Sequence, residues 1–219
     1  MRDYKNITII GTSHIAKESV NLVREKINEL KPGIVALELD KLRFEALFYN
    51  KKRKNKLSDI RYIGIKGFLF NIIGAYIENK LGRMVNVKPG SEMKAATLAA
   101  KENNADLALI DQDIRITLKN LSKAFTWREK LRFIAEIIKS LLKREKISID
   151  LTKVPDKKLI KKLTEKMKRD YPSIYKVLIE DRNKVLAKNL YKLMATNKKI
   201  IAVVGAGHED EIIDIIQKM

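Results

Sequence analysis

Four short apolar runs, set apart by stretches with helical spacing, constrain this chain more than any other feature. They are Ile7-Thr8-Ile9-Ile10, Ile34-Val35-Ala36-Leu37-Glu38-Leu39-Asp40, Leu107-Ala108-Leu109-Ile110-Asp111 and Ile200-Ile201-Ala202-Val203-Val204. Each is too short for a stable helix. Their apolar residues are consecutive rather than alternate, as in parallel strands covered on both faces. Between the first two runs, Val20, Val23, Ile27 and Leu30 recur at helical spacing, and Lys31-Pro32-Gly33 stops the helix. A strand, helix and strand of this length form a right-handed crossover with the strands parallel. The expected class is α/β: a mostly parallel or mixed central sheet flanked by helices, in a single domain over residues 1–219.

The connections carry the charge. From Lys41 to Gly82 the pattern is helical, with a basic knot at Lys51-Lys52-Arg53-Lys54, and Lys88-Pro89-Gly90-Ser91 is a turn feeding an alanine-rich helix. Residues 119–199 read as several helices broken around Pro155 and Pro172, a basic helical insertion between the third and last strands. It holds 24 Lys and Arg against nine Asp and Glu, and so carries +15 of the net +19. Readout or stacking of bases wants arginine interleaved with aromatic rings. Aromatics are only 6% of this chain and the charge is mostly lysine, as in Lys157, Lys158, Lys161, Lys162, Lys166 and Lys168. That argues against a nucleic-acid-binding module. It favours a solvated surface, or one facing an anionic membrane.

No basic, apolar, small-residue leader precedes the first strand, and Gly67 to Ile77, broken by Asn71, falls short of the ~20 residues a bilayer span needs. The expectation is a cytoplasmic protein, or one held at a membrane by a region beyond this chain. Phe68-Leu69-Phe70, Ile72-Ile73 and Tyr76-Ile77 read as core, with a lid or a dimer face as alternatives; a homo-oligomer stays open.

The chain has no cysteine and only two histidines. That excludes disulfides, thiolate metal sites and cysteine nucleophiles. The histidines share a frame: Gly11-Thr12-Ser13-His14 and Gly205-Ala206-Gly207-His208 are both Gly-x-x-His, and both directly follow an apolar strand. Ligands of open α/β sheets bind outside the carboxyl ends of the strands, so both imidazoles are expected at one rim. Glu38, at the end of the second strand, joins them there; buried, it needs a cation, a metal or a proton. Without cysteine, a three-ligand catalytic metal site would be His14, Glu38 and His208, a set that suits zinc and also manganese or cobalt. The plainer reading of Glu38 is an ion pair with an arginine such as Arg43. Asp40 is expected to point to the other face.

Asp111-Gln112-Asp113-Ile114-Arg115 ends the third strand and opens a helix, where carboxylates ordinarily cap. Asp111 or Arg115 could equally hold substrate or orient a metal ligand. Glu92, in the first turn of its helix, has the same two readings. Glu180-Asp181-Arg182-Asn183 falls inside a helix and reads as a solvated face. There is no His-Glu-x-x-His, no phosphate-binding Gly-x-x-x-x-Gly-Lys-Ser/Thr and no Gly-x-Ser-x-Gly. Gly205-Ala206-Gly207 fails as a dinucleotide loop, because position 210 is aspartate and no later strand supplies a ribose-binding carboxylate.

Together these motifs resemble the TraB/PrgY family, part of the superfamily that includes Tiki proteases, GumN, ChaN and EreA-type esterases. The likeness runs through Gly11–His14, Glu38-Leu39-Asp40 with Arg43, and Pro89-Gly90-Ser91-Glu92-Met93. It continues through Leu109–Leu118, Glu180–Asn183 and Val203–His208. The resemblance implies a metal-dependent hydrolase centre, with manganese or cobalt favoured and zinc allowed. It also implies a peptide or protein substrate and a link to pheromone shutdown. Carried over, His14, Glu38 and His208 form the centre, and Arg115 and Arg182 are supporting or substrate residues. Two positions depart from the pattern: Gln112 stands where many TraB sequences have arginine, and Asn183 matches the Arg-Asn of Tiki and GumN better.

The expected chemistry follows. A bound ion polarises the scissile carbonyl and brings the pKa of its water toward ~7. A carboxylate, Glu38 if it is not a ligand and otherwise Glu92, moves the proton. Arg115 or Arg182 steadies the oxyanion or a substrate carboxylate. The alternative is a protein of the same fold that binds or sequesters a peptide or partner without catalysis.

Overall fold

The computed structural model describes residues 1–12, 17–48, 90–143 and 157–219. In chain order, its first part comprises β1 (Arg2–Tyr4), β2 (Ile7–Thr12), α1 (Lys17–Leu30), β3 (Ile34–Leu37) and α2 (Lys41–Phe48). Next come α3 (Ser91–Glu102), β4 (Asp106–Leu109), α4 (Ile114–Ala124), α5 (Trp127–Lys143) and α6 (Lys157–Asp170). The rest is α7 (Pro172–Tyr175), a π-helical turn (Lys176–Glu180), α8 (Asp181–Met194), β5 (Ile200–Gly205) and α9 (Glu209–Ile216). The basic knot at residues 51–54, the apolar segment at 68–77, and Ser13 and His14 lie outside the described residues.

The strands form one mixed sheet in the order β1-β2-β5-β3-β4. The four apolar runs are the parallel strands, as expected, and β5 inserts between β2 and β3. The fifth strand, β1, matches none of the four apolar runs. It pairs antiparallel to β2 through a tight turn in which Lys5 takes a positive φ of 50°. Residues of β1 are mostly exposed, so it carries no apolar signature, as is common for an edge strand. The apolar run 34–40 is also shorter as a strand than as a sequence pattern. Regular pairing stops at Leu37, and Leu39 N–H donates back to Leu37 C=O at 2.7 Å.

Helices cover both faces, as parallel sheets require. On one face α1 and α3 bring Val23, Ile27, Met93, Ala96, Ala99 and Ala100 against Ile10, Val35, Leu37, Ile201 and Val203. The alanines let α3 approach closely. On the other face α8 and α9 bring Leu186, Ala187, Leu190, Ile212 and Ile213 against Ile9, Ala36, Ala202 and Val204. Fully burying each such Ile or Leu contributes about 1.5–3 kcal/mol, which makes this double layer the main source of stability. In the basic region, the described residues between β4 and β5 that are regular are all helical. Among the described residues, no helix is long and apolar enough to cross a membrane.

Register fixes what reaches the carboxyl rim. Thr12 lies opposite Gly205, and Leu37 opposite Val203. The ends of β2 and β5 are therefore neighbours, and Glu38 follows on the next strand.

Candidate functional site

The turn after β5 is anchored to the end of β2. Ala206 N–H donates to Thr12 C=O at 2.9 Å, and Thr12 Oγ1 donates to Val204 C=O at 3.1 Å. His208 follows as the residue before α9, 6% exposed. The two Gly-x-x-His frames thus start side by side at the rim, although His14 itself lies outside the described residues. A cleft of about 850 Å³ opens beside the end of β2 and the turn after β5, with Gly11, Ala206, Gly207, Tyr175 and Glu211 in its wall.

Glu38 is buried, and both its oxygens are engaged. Gly205 N–H donates to Oε2 at 2.6 Å, Arg182 Nη2 donates to Oε1, and His208 Nε2 stands 3.6 Å from that same Oε1. Arg182 comes from the first turn of α8, directly after the π-helical turn, and is 15% exposed. Its Nη2 also donates to Asp111 Oδ2 at 2.5 Å. Burial works against the guanidinium charge, but the Glu38 and Asp111 carboxylates outweigh it and raise the Arg182 pKa above its ordinary value. This arginine is a permanent cation.

The predicted ion pair therefore exists in kind, with a different partner. Arg43 instead donates from Nε to Asp40 Oδ2 at 2.8 Å and from Nη2 to Asp111 Oδ2, and of Glu38 it reaches the backbone oxygen, Nη2 at 3.4 Å, rather than the carboxylate. Asp40 does not point away from this group. Positions 38 and 40 share a face under strand alternation, and regular pairing has already ended at Leu37. Its Oδ1 caps the start of α2, accepting from Leu42 N–H at 2.8 Å and Arg43 N–H at 3.1 Å. Arg182–Asn183 is likewise no solvated face, since Asn183 is fully buried.

Not every candidate reaches this cluster. Asp113 caps α4 by accepting from Arg115 N–H at 2.8 Å, and the Arg115 side chain folds back onto the same carboxylate, with Nε 3.0 Å from each oxygen. Glu92 is 1% exposed in α3, within the layer on the face of the sheet opposite to α8.

A second network, which the sequence did not announce, holds His208 from behind. Nδ1 lies 2.5 Å from Asn183 Oδ1, Asn183 Nδ2 donates to Glu211 Oε2 at 2.6 Å, and Tyr175 OH donates to Glu211 Oε1 at 2.8 Å. Burial and the bond to Glu211 push the Tyr175 phenol up to about 12. The only sequence trace of Glu211 was its position three residues after the second histidine.

Comparison with known proteins gives the family. The model of the TraB/PrgY/gumN family matches residues 2–218. The chain belongs to this family. An uncharacterized protein of Methanocaldococcus jannaschii is 35% identical over 98% of this chain and 54% of its own length. The human TraB domain-containing protein is 21% identical over 94% of the chain and 61% of its own length, and the mouse protein matches to the same extent. This TraB/PrgY/gumN chain thus spans little more than half the length of the curated relatives it matches.

The resemblance implies a divalent metal, and the donors can be tested for it. Glu211 in its carboxylate form only accepts, so Asn183 Nδ2 must donate to it, and Asn183 Oδ1 must accept from His208 Nδ1–H. That leaves the lone pair of the neutral imidazole on Nε2, the nitrogen facing Glu38 Oε1. A histidine whose remote nitrogen is held by a hydrogen bond is the usual form of a metal ligand. His208 Nε2 has the form of one donor, and Glu38 could serve as a second only by sharing Oε1 with Arg182 or Oε2 with Gly205 N–H. Among the described residues, which do not include His14, no group of three His, Asp or Glu side chains is spaced to hold an ion.

Proposed function

We propose that this TraB-family chain carries the catalytic rim of a metal-dependent hydrolase acting on a peptide or protein. One observation above all supports this reading: the two Gly-x-x-His frames start on neighbouring strands, with His208 Nε2 3.6 Å from Glu38 Oε1. His14, Glu38 and His208 would hold a manganese, cobalt or zinc ion. Such an ion, when bound, supplies a Lewis acid and an acidified water. The chain's own residues do the rest. Arg182, held in place by Glu38 and Asp111, offers fixed positive charge for an oxyanion or a substrate carboxylate. The cleft beside Gly11, Ala206 and Gly207 has room for a peptide segment.

The test is direct. Purified protein is titrated with manganese, cobalt and zinc by calorimetry, and cleavage of a peptide library in each metal is followed by mass spectrometry. His14→Ala and His208→Ala are each expected to lose both metal affinity and turnover. If both variants bind and cleave like the parent, the proposal fails.

A second reading has its own support. Both oxygens of Glu38 are committed, to Arg182 and to Gly205 N–H, as in a structural ion pair. A protein that binds peptides at this rim without cutting them predicts retained peptide and no product in any metal.

A further inference from the structure

Tyr175, Glu211 and Asn183 form a chain of hydrogen bonds that ends on the imidazole of His208, and none of the three touches Glu38 in it. Asn183 is fully buried, and Tyr175 is 4% exposed. Each link has only one workable direction. The phenol donates to Glu211 Oε1, the other oxygen of Glu211 accepts from the Asn183 amide, and the amide oxygen is left to accept from Nδ1–H.

From this geometry we infer that Glu211 is a positioning residue: acting through Asn183, it fixes His208 in the Nδ1–H tautomer and keeps the Nε2 lone pair at the rim. The inference rests on the proposed function only for its purpose, since the tautomer is set whether or not a metal binds there. An asparagine alone cannot set it, because its amide can turn over and present either the oxygen or the NH₂ to the ring. An acceptor-only carboxylate behind the amide removes that freedom. Tyr175, donating to the other oxygen, holds the carboxylate itself in place.

The consequences can be read residue by residue. In Glu211→Gln the residue behind Asn183 both donates and accepts. The amide can then turn and donate to Nδ1, so His208 should populate both tautomers. In the double variant Asn183→Asp with Glu211→Gln, the carboxylate moves next to the ring and the amide moves behind it. The carboxylate at position 183 then accepts from Nδ1–H with one oxygen and from the glutamine NH₂ with the other, while the glutamine oxygen accepts from Tyr175. The bond between positions 183 and 211 now runs the other way, but the bonds at the ring and at Tyr175 keep their directions, with the same net charge and nearly the same volume.

Two histidines make the measurement clean, because in a His14→Ala background every imidazole signal belongs to His208. Long-range ¹H–¹⁵N spectra of that protein should show a single Nδ1–H form. Glu211→Gln should show a mixture, and the double variant should return to Nδ1–H. In the native His14 background, Mn²⁺ and Co²⁺ titrations should show about 10–100-fold weaker binding for Glu211→Gln, recovered by the double variant. If the parent is already mixed, if Glu211→Gln leaves its tautomer unchanged, or if a folded double variant does not recover, the positioning role is overturned. If the tautomers change as expected but no variant binds metal, the positioning role stands and the metal-dependent hydrolase does not.

Discussion

The carboxylate of Glu38 accepts a 2.6 Å hydrogen bond from the backbone N–H of Gly205, which ties the end of β3 to the turn carrying His208. The two residues are 167 positions apart, and β5 lies between β2 and β3, so this bond closes the rim across the centre of the sheet. Glu38 Oε1 then reaches Arg182, linking the same turn to α8. One buried side chain thus orients three elements. A glutamate at this place serves the architecture whatever else it does.

Arg182 should be the costliest side chain of this cluster to remove. Replacing it with alanine leaves Glu38 and Asp111 buried at 3% and 1% side-chain exposure without their shared cation. Breaking a buried pair in this way costs about 3–5 kcal/mol. Arg182→Lys should recover less than half of it, because one ammonium cannot reproduce a planar fork whose Nη2 serves both carboxylates while Nε lies 3.4 Å from Asp111 Oδ1. Urea denaturation followed by circular dichroism gives both values; a lysine variant as stable as the parent would show that charge alone suffices.

Glu129 should make stability depend on acid. It accepts from Thr126 N–H at 3.0 Å, Thr126 Oγ1 at 2.7 Å and Ser173 N–H at 2.8 Å, joining the start of α5 to α7. Burial pushes its carboxyl up, and the bonds from Ser173 and Thr126 outweigh that and hold it below the ordinary 4.5. A lowered folded-state pKa adds stability that is present above the unfolded value and lost as pH falls through the folded one. Glu129→Gln should therefore cost about 1–3 kcal/mol at pH 7. The gap between variant and parent should narrow below pH 4.5. Urea midpoints measured from pH 7 down to pH 3 test this, and a gap that stays constant contradicts it.

Gly11, near the end of β2, and Gly207, in the turn after β5, should behave oppositely. A methyl at Gly11 would lie 3.1 Å from Ala206 Cα and 2.7 Å from Glu209 Oε2, where the end of β2 packs against the turn after β5. A methyl at Gly207 would meet nothing within 4 Å. Gly11→Ala is expected to lose about 1–3 kcal/mol through overpacking. Gly207→Ala should stay within about 0.5 kcal/mol of the parent, as open surface positions do. Thermal melts of the two variants side by side decide the matter, since equal losses would mean the end of β2 is not packed against the turn after β5 as described.

What the sequence disclosed and what it withheld divide along physical lines. The parallel strands β2, β3 and β5 were legible because burial on both faces writes a continuous apolar run. β4 carries a similar run although it lies at the sheet edge with Leu107 and Leu109 exposed, and the shared rim followed from the common direction of all four. The edge strand β1 left no such mark, being polar and held by hairpin geometry at Lys5. Glu38, Arg182 and His208 were all singled out, but their pairing was not. Arg182 and Asp111 lie 71 positions apart, and which arginine meets which carboxylate depends on how α8 crosses the sheet. Arg43, near Glu38 in sequence, was drawn instead to Asp40 and Asp111. Glu211 was invisible for a similar reason. Its role comes from Asn183 and Tyr175 on separate helical segments, and no spacing along one segment records that.

Tyr175 gives a spectroscopic handle on the buried network. Its phenol is pushed from 10 up to about 12 by burial and by the bond to Glu211. A raised folded-state pKa means that the stability it adds is complete below pH 10 and is lost as pH rises through about 12. At pH 7, Tyr175→Phe should remove about 0.5–1.5 kcal/mol with the lost hydrogen bond. Subtracting its phenolate absorbance titration from that of the parent isolates this one phenol among seven tyrosines. The difference should appear near pH 12, with Tyr171, also raised to about 12, left in both curves. A difference that develops near pH 10 would mean the phenol is solvated and does not hold Glu211.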